Sequence, residues 1–201
     1  STRGDMLAAA LNVWGVVMCA AYASNARNRT LLLGAALFAL AFMTKFTTVF
    51  GLAACVLFFM GTGRRRGALI LSGVTACLVA GMLAAVHMAS EGRALESFLA
   101  CASGGTSYVD LLFSPIKFLY AARIDVSFLL FLACGAVAVF QRRQPVRDLP
   151  SAVFLMTAAA TVAIAASPGT DLSHNIDLQA ASVVVAAVCI NDRNWRGLLS
   201  W

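Results

Sequence analysis

Long apolar runs separated by short polar segments dominate the sequence. The longest run, residues 31–60, contains a single charge, Lys45, near its middle. As one helix it would be about 45 Å long, which exceeds a hydrocarbon core of about 30 Å. We therefore predict that the run breaks at Thr44-Lys45 and Thr47-Thr48, giving two helices joined by a tight turn at one membrane face.

The remaining apolar runs extend this pattern to an all-α, polytopic transmembrane bundle of about seven spans. We expect one transmembrane domain, 1–201, with amphipathic helices lying at the interface in the outer segment 90–125. In span four, Gly73, Cys77 and Gly81 recur every four residues, a pattern that favours close helix packing. The predicted spans are 6–23, 31–43, 47–62, 67–89, 126–140, 149–167 and 178–190.

Composition agrees with a membrane protein. The chain is 61% hydrophobic and only 12% charged, whereas soluble domains are about 25% charged. The net charge of +6 comes from short basic clusters between apolar runs, a distribution typical of cytoplasmic loops, so we expect no nucleic-acid partner. The six cysteines show no zinc-binding spacing and are interpreted as small buried hydrophobic residues. We predict no metal site and no cofactor.

The basic clusters also orient the chain. With the N-terminus outside, the loops after spans one, three, five and seven are cytoplasmic. Those loops carry ten of the fifteen basic residues, Arg64, Arg65 and Arg66 among them. The positive-inside rule therefore favours an outer N-terminus and a cytoplasmic C-terminus. The alternation requires the break in 31–60, so it supports that break independently.

This topology gathers polar residues at the outer face. A lysine binds phosphate as a point charge, and a carboxylate or a histidine can act as a general base. Together they could bind a phosphate and manage a proton. The residues concerned are Arg3, Asp5, Lys45, Asp171, His174, Asn175 and Asp177.

Structural interpretations remain open beside the functional one. Lys45 is either a site residue or a helix-end lysine that extends to lipid head groups. Arg3 and Asp5 would also suit a helix start. Asp171 and Asp177 would suit helix caps, Asp177 before span seven in particular. His174 would suit a solvated loop.

Three segments, in the same order along the chain, carry a resemblance to a known family. Arg3-Gly4-Asp5 before MLAAALNVWGVV looks like the family's outer entry into a span. ALFALAFMTKFTTVF is similar to its G-L-A-x-L-T-K hairpin, and SHNIDLQAASVVVAA is similar to its late outer loop. The chain thus resembles integral-membrane glycosyltransferases of the GT-C fold. The closest branch is the bacterial dolichyl-phosphate-mannose-protein mannosyltransferase-like group, which includes the aminoarabinose transferase for lipid A.

The resemblance implies transfer of a sugar from a polyprenyl-phosphate carrier to a glycan, lipid or protein acceptor, at the outer face of a bacterial inner membrane. It implies that Lys45 lies near the carrier phosphate, with Arg3 and Asp5 at the rim of the same cavity. His174, Asn175 and Asp177 are the further substrate-binding candidates. Asp5 is the catalytic candidate within these 201 residues.

The chain departs from the family in one respect. The family's acidic pair in the first outer loop is missing, and full-length members are more than twice as long. Either the chain lacks its first spans or it is a degenerate relative of the family. We expect an N-terminally incomplete chain that is inactive alone, with the principal acid upstream of Ser1. A lipid or small-anion transporter, or a flippase-like bundle, is the main alternative, and a non-catalytic membrane scaffold is the second.

Overall fold

The computed structural model describes residues 2–93, 96, 109, 112–116, 118, 126–140, 145–164 and 175–192. All regular secondary structure in this part of the chain is helical, so the all-α prediction is confirmed there. A short 3₁₀ turn, Pro145–Arg147, precedes the sixth helix. The described helices are α1 Thr2–Asn25, α2 Asn28–Thr44, α3 Phe50–Gly61, α4 Arg65–Ala89, α5 Val126–Phe140, α6 Leu149–Ile164 and α7 Asn175–Asp192.

The break predicted within 31–60 is present. Helix α2 ends at Thr44, Lys45 is extended (φ −155°, ψ 110°), and α3 begins at Phe50. Two threonines hold backbone carbonyls at this point. The Thr44 hydroxyl donates to Leu40 O at 2.8 Å, and the Thr48 hydroxyl donates to Lys45 O at 2.8 Å. At Lys45 O the side-chain bond adds to a backbone bond from Thr48 N at 3.1 Å, so the Thr48 side chain reinforces the turn that follows the helix.

Two helices are long and apolar enough to cross a membrane by length and composition, Gly4–Asn25 within α1 and Arg65–Ala89. The other described apolar helices are shorter. The helices coincide with the predicted spans to within a few residues, but their individual crossings remain a prediction. Most of the interfacial segment 90–125 lies outside the described residues.

Two apolar clusters hold the helices together. The first contains residues of helices α1, α2, α3 and α4 and of the start of α6, and its Phe59 and Leu71 are fully buried. The second joins α5, α6 and α7 around Phe128 and Leu178, and Phe118 packs edge-on against Phe128. Helix α3 contacts α6, and α1 contacts α7. These contacts bring the starts of α1 and α7 near the turn between α2 and α3.

The arginine-rich turns lie at the other end of α1. Arg64 Nη1 donates to Tyr22 O at 3.4 Å, so the turn between α3 and α4 meets the C-terminal end of α1. Arg27 and Arg29 follow this same end of α1 in the chain. The bundle therefore has one end with Lys45 and another end with arginines; the side of the membrane that each end faces remains a prediction.

The predicted packing face on α4 is wrong for the described part of the protein. Gly73, Cys77 and Gly81 are exposed there, and a Cβ added at either glycine would meet nothing within 4 Å. Helix α4 packs through a different face, on which Leu71 and Thr75 are buried and the Thr75 hydroxyl donates to Ala35 O at 3.4 Å.

The prediction that the cysteines are small buried hydrophobic residues is confirmed for two of the four cysteines that the structure describes. Cys19 and Cys55 are fully buried, whereas Cys77 and Cys134 are exposed on their helices.

Candidate functional site

An ion pair joins two of the predicted site residues. Asp5 lies in the first turn of α1, and Lys45 is the extended residue that ends α2. Lys45 Nζ lies 2.7 Å from Asp5 Oδ1, and the two side chains are only 14% and 20% exposed. The lysine therefore turns toward a carboxylate within the bundle instead of extending from the helix end toward lipid head groups.

Asp177 completes the cluster. Burial raises the pKa of its carboxyl group from 3.8 to about 6, although Lys45 lowers this pKa and the negative charge of Asp5 raises it further. Both of those groups are thus within electrostatic reach of Asp177. Asp177 precedes the apolar part of α7, which starts at Leu178. We call Asp5, Lys45 and Asp177 the charged cluster.

The alternative interpretation of Asp177 as the cap of this helix is wrong. Helix α7 begins at Asn175, so Asp177 lies inside the first turn. A carboxylate in the first turn still interacts favourably with the helix dipole.

An apolar groove of about 230 Å³ extends from the charged cluster between α1, α6 and α7. Asp177 lines one end, and Ala20 and Leu149 line the other. At the rim, Val13, Val17 and Val184 are 41%, 42% and 46% exposed, so the groove is open to the apolar exterior. An apolar cavity of about 150 Å³ already binds benzene, so the groove has room for a segment of hydrocarbon chain.

Asn12 lines the same groove and was missed by the sequence reasoning. It is only 3% exposed, and its Oδ1 accepts no hydrogen bond in the described structure. Its amide lies against the backbone of Gly51, where a Cβ would come within 2.9 Å of Asn12 Nδ2 and closer still to Oδ1. The available signal was a single amide inside an otherwise apolar span, since polar groups within spans are costly.

The remaining candidates are described only in part. The backbones of Arg3 and Asn175 belong to α1 and α7, but the described residues do not include their side chains. His174 and Asp171 lie outside the described residues altogether. In the described part of the chain, no three His, Cys, Asp or Glu residues form a group that could hold a metal ion.

Comparison with models of protein families, with curated proteins and with solved structures finds no match to this chain.

Proposed function

We propose that this chain belongs to an integral-membrane glycosyltransferase that takes a sugar from a polyprenyl-phosphate carrier and transfers it to an acceptor at the outer face. One observation carries the proposal. Asp5, Lys45 and Asp177 come one each from the three segments that resemble the GT-C family, and the charged cluster unites them. Segments so far apart in the chain have no local reason to meet.

The apolar groove supports the lipid part of the donor. Most of its lining residues are aliphatic, and it begins at Asp177, which lies within electrostatic reach of Lys45. An isoprenoid chain in the groove would leave its phosphate at the charged cluster. Because the chain enters the groove from lipid and not from water, packing contacts with the groove wall would hold it there.

In the proposed sugar transfer, Lys45 and Asp5 have separate roles. The acceptor oxygen attacks the anomeric carbon, the bond from that carbon to the phosphate oxygen breaks, and its electron pair stays on the phosphate. Lys45 stabilises that developing charge. The acceptor proton goes to a carboxylate, for which Asp5 is the candidate within this chain. The Asp5–Lys45 pair has to separate so that each group meets its substrate.

The proposal includes the full topology. Seven spans with the N-terminus outside put the charged cluster at the outer face and the turn at Arg64 in the cytoplasm, where the positive-inside rule favours it. The bundle belongs to the inner membrane of a bacterium, and membrane lipids surround its apolar surface.

Replacement of Lys45 tests the proposal. In the complete protein, Lys45→Ala should lower sugar transfer at least about a hundredfold, because removal of one stabilising group for a developing oxyanion costs that much. Lys45→Arg should keep part of the activity. Arg93→Ala is the matched control, since Arg93 is a highly exposed cation beyond the end of α4. Normal transfer by a membrane-inserted Lys45→Ala protein would contradict the assignment and favour a scaffold.

The transporter is the second candidate, and Asn12 is the observation that favours it. This buried amide lies well inside α1 and lines the groove, and transporters hold polar groups between helices within the membrane. Movement of a labelled lipid across reconstituted vesicles, lost in Asn12→Leu and kept in Lys45→Ala, would favour this alternative.

A further inference from the structure

The charge balance of the cluster is unfavourable for a phosphate. The charged cluster contains two carboxylates, Asp5 and Asp177, and one ammonium group, Lys45, so it carries a formal charge of −1 when all three groups are ionised. The described side chains on the helices that pack against Asp177 do not alter this balance. On α1 the described charged group near Asp177 is Asp5 itself, and the side chain of Arg3 lies outside the described residues. On α5 the titratable group is the exposed thiol of Cys134. Helix α6 contains no charged residue, and Asp148 lies just before its start, at the other end of the groove.

Asp177 is the member of the cluster that can give up its charge. Lys45 pairs directly with Asp5 at 2.7 Å, so each of these two charges already has an opposite charge beside it. Asp177 is partly buried at one end of the groove, and its pKa of about 6 places its titration close to neutral pH. Above that pH it is ionised, and below it the cluster becomes neutral.

We propose that the site takes up one proton, on Asp177, whenever it binds the phosphodiester head group of a lipid, and that the anion and the proton leave together. This inference rests on the phosphate-binding part of the proposed function. Protonation of Asp177 removes one of the two negative charges of the cluster. Lys45 can then leave Asp5 and pair with the phosphate instead. The lipid chain lies in the apolar groove next to Asp177.

The coupling has a defined sign. An anion beside Asp177 raises the pKa of this carboxyl group further. Below pH 6 Asp177 is already protonated, so affinity is highest and independent of pH. Above pH 6 each binding event consumes a proton, and the association constant falls by about tenfold for each pH unit until the pKa of the complex is reached.

Calorimetry on the purified full chain in detergent tests the inference directly. The probe is a short isoprenyl methyl phosphodiester, whose own charge does not titrate in this range. Titrations at pH 7 and pH 8, each in two buffers with different ionisation enthalpies, give the number of protons taken up. We expect about one proton per ligand and affinity about tenfold weaker at pH 8.

Variants then locate the proton. Asp177→Asn should bind with the low-pH affinity at every pH and take up no proton. Glu91→Gln removes one carboxylate from a highly exposed position and should leave the pH dependence unchanged. The infrared carbonyl band of a protonated carboxyl group, appearing at pH 8 when the probe is added to the unmodified protein, gives the same answer without a variant.

The outcomes separate the two proposals. Binding without proton uptake, or uptake that persists in Asp177→Asn, would overturn the coupling and leave the phosphate site intact. Binding that is unaffected by Lys45→Met would show that the phosphate lies elsewhere. Absence of probe binding at every pH would overturn the phosphate site and the coupling with it.

Discussion

At the residue scale, the ion pair between Asp5 and Lys45 links the start of α1 to the turn after α2. Because both side chains are largely buried, removal of one partner leaves the other charge poorly solvated. We expect Asp5→Asn and Lys45→Met each to lower the free energy of unfolding by about 2 kcal/mol. The double variant should recover part of this loss, as thermal unfolding in detergent would measure.

The control for this cycle is the pair of Glu91 and Arg93, whose charged atoms lie 3.8 Å apart with both side chains more than 80% exposed. Exposed pairs of this kind contribute little, so Glu91→Gln and Arg93→Ala should leave the unfolding temperature unchanged. Additive losses in the Asp5/Lys45 double variant would mean that the two groups do not interact.

Asp177 makes stability depend on pH. Its folded-state pKa is about 6 against 3.8 for an ordinary carboxyl group, so the folded state binds the proton more tightly than the unfolded state. The free energy of unfolding therefore rises as the pH falls from above 6 toward 4. At neutral pH Asp177 is ionised, and the full destabilisation from its ionisation is present. Two pKa units correspond to about 3 kcal/mol.

We therefore expect Asp177→Asn to be more stable than the unmodified protein at pH 7, by up to about 3 kcal/mol, and equally stable at pH 4. Unfolding measured by denaturant at both pH values gives this difference. A constant difference between the two proteins across this range would show that Asp177 does not carry the titration.

Sequence reasoning predicted part of this site. The alternation of spans and basic loops was enough to assign Asp5, Lys45 and Asp177 to one face. The ion pair itself was beyond prediction, because hydropathy gives the depth of a residue in the bundle but not its lateral neighbours. Asn12 was missed because the groove that gives it meaning exists only after α1, α6 and α7 have packed.

At the element scale, the helix break was predictable and the packing faces were not. A run too long for a bilayer, with polar residues at its centre, has one obvious place to stop, and α2 stops there. Small residues at four-residue spacing on α4 suggested a contact surface. Spacing alone does not say whether a neighbour lies on that side, and the described neighbours pack on the face of Leu71 and Thr75.

Two glycine substitutions compare a position packed against a neighbouring helix, Gly51, with an open position, Gly73. Gly51→Ala would place a methyl group against the Asn12 amide, and we expect it to lower the free energy of unfolding by about 1–3 kcal/mol through overpacking between α1 and α3. Gly73→Ala meets nothing within 4 Å, so it should be neutral or slightly stabilising, because alanine favours helix. Thermal unfolding in detergent compares them.

The double variant Asn12→Ala with Gly51→Ala tests the stated cause. If the clash with the Asn12 side chain is responsible, shortening that side chain should remove most of the Gly51→Ala penalty. A penalty that stays the same in the double variant would mean that Gly51 is needed for some other reason.

At the scale of the whole molecule, the surface of the bundle is unusually apolar. Leu69 and Met88, near opposite ends of α4, are 71% and 74% exposed, and Phe140, at the end of α5, is 88% exposed. Soluble monomers rarely expose apolar surface so extensively, whereas lipid chains would cover it without cost. The surface therefore agrees with the two membrane-length helices in favouring a bilayer as the surroundings of the fold.

The two ends of the bundle should consequently face different compartments. Thr47 lies in the turn beside Lys45, Thr62 lies in the turn next to Arg64, and both are exposed. In a cysteine-free background, Thr47→Cys should react with a membrane-impermeant maleimide on intact spheroplasts, and Thr62→Cys should react only after lysis. The reason is that the arginine-rich turn favours the cytoplasm. The reverse pattern would put the charged cluster on the cytoplasmic side and exclude transfer at the outer face. Equal labelling of both positions before lysis would mean that α3 does not cross the membrane.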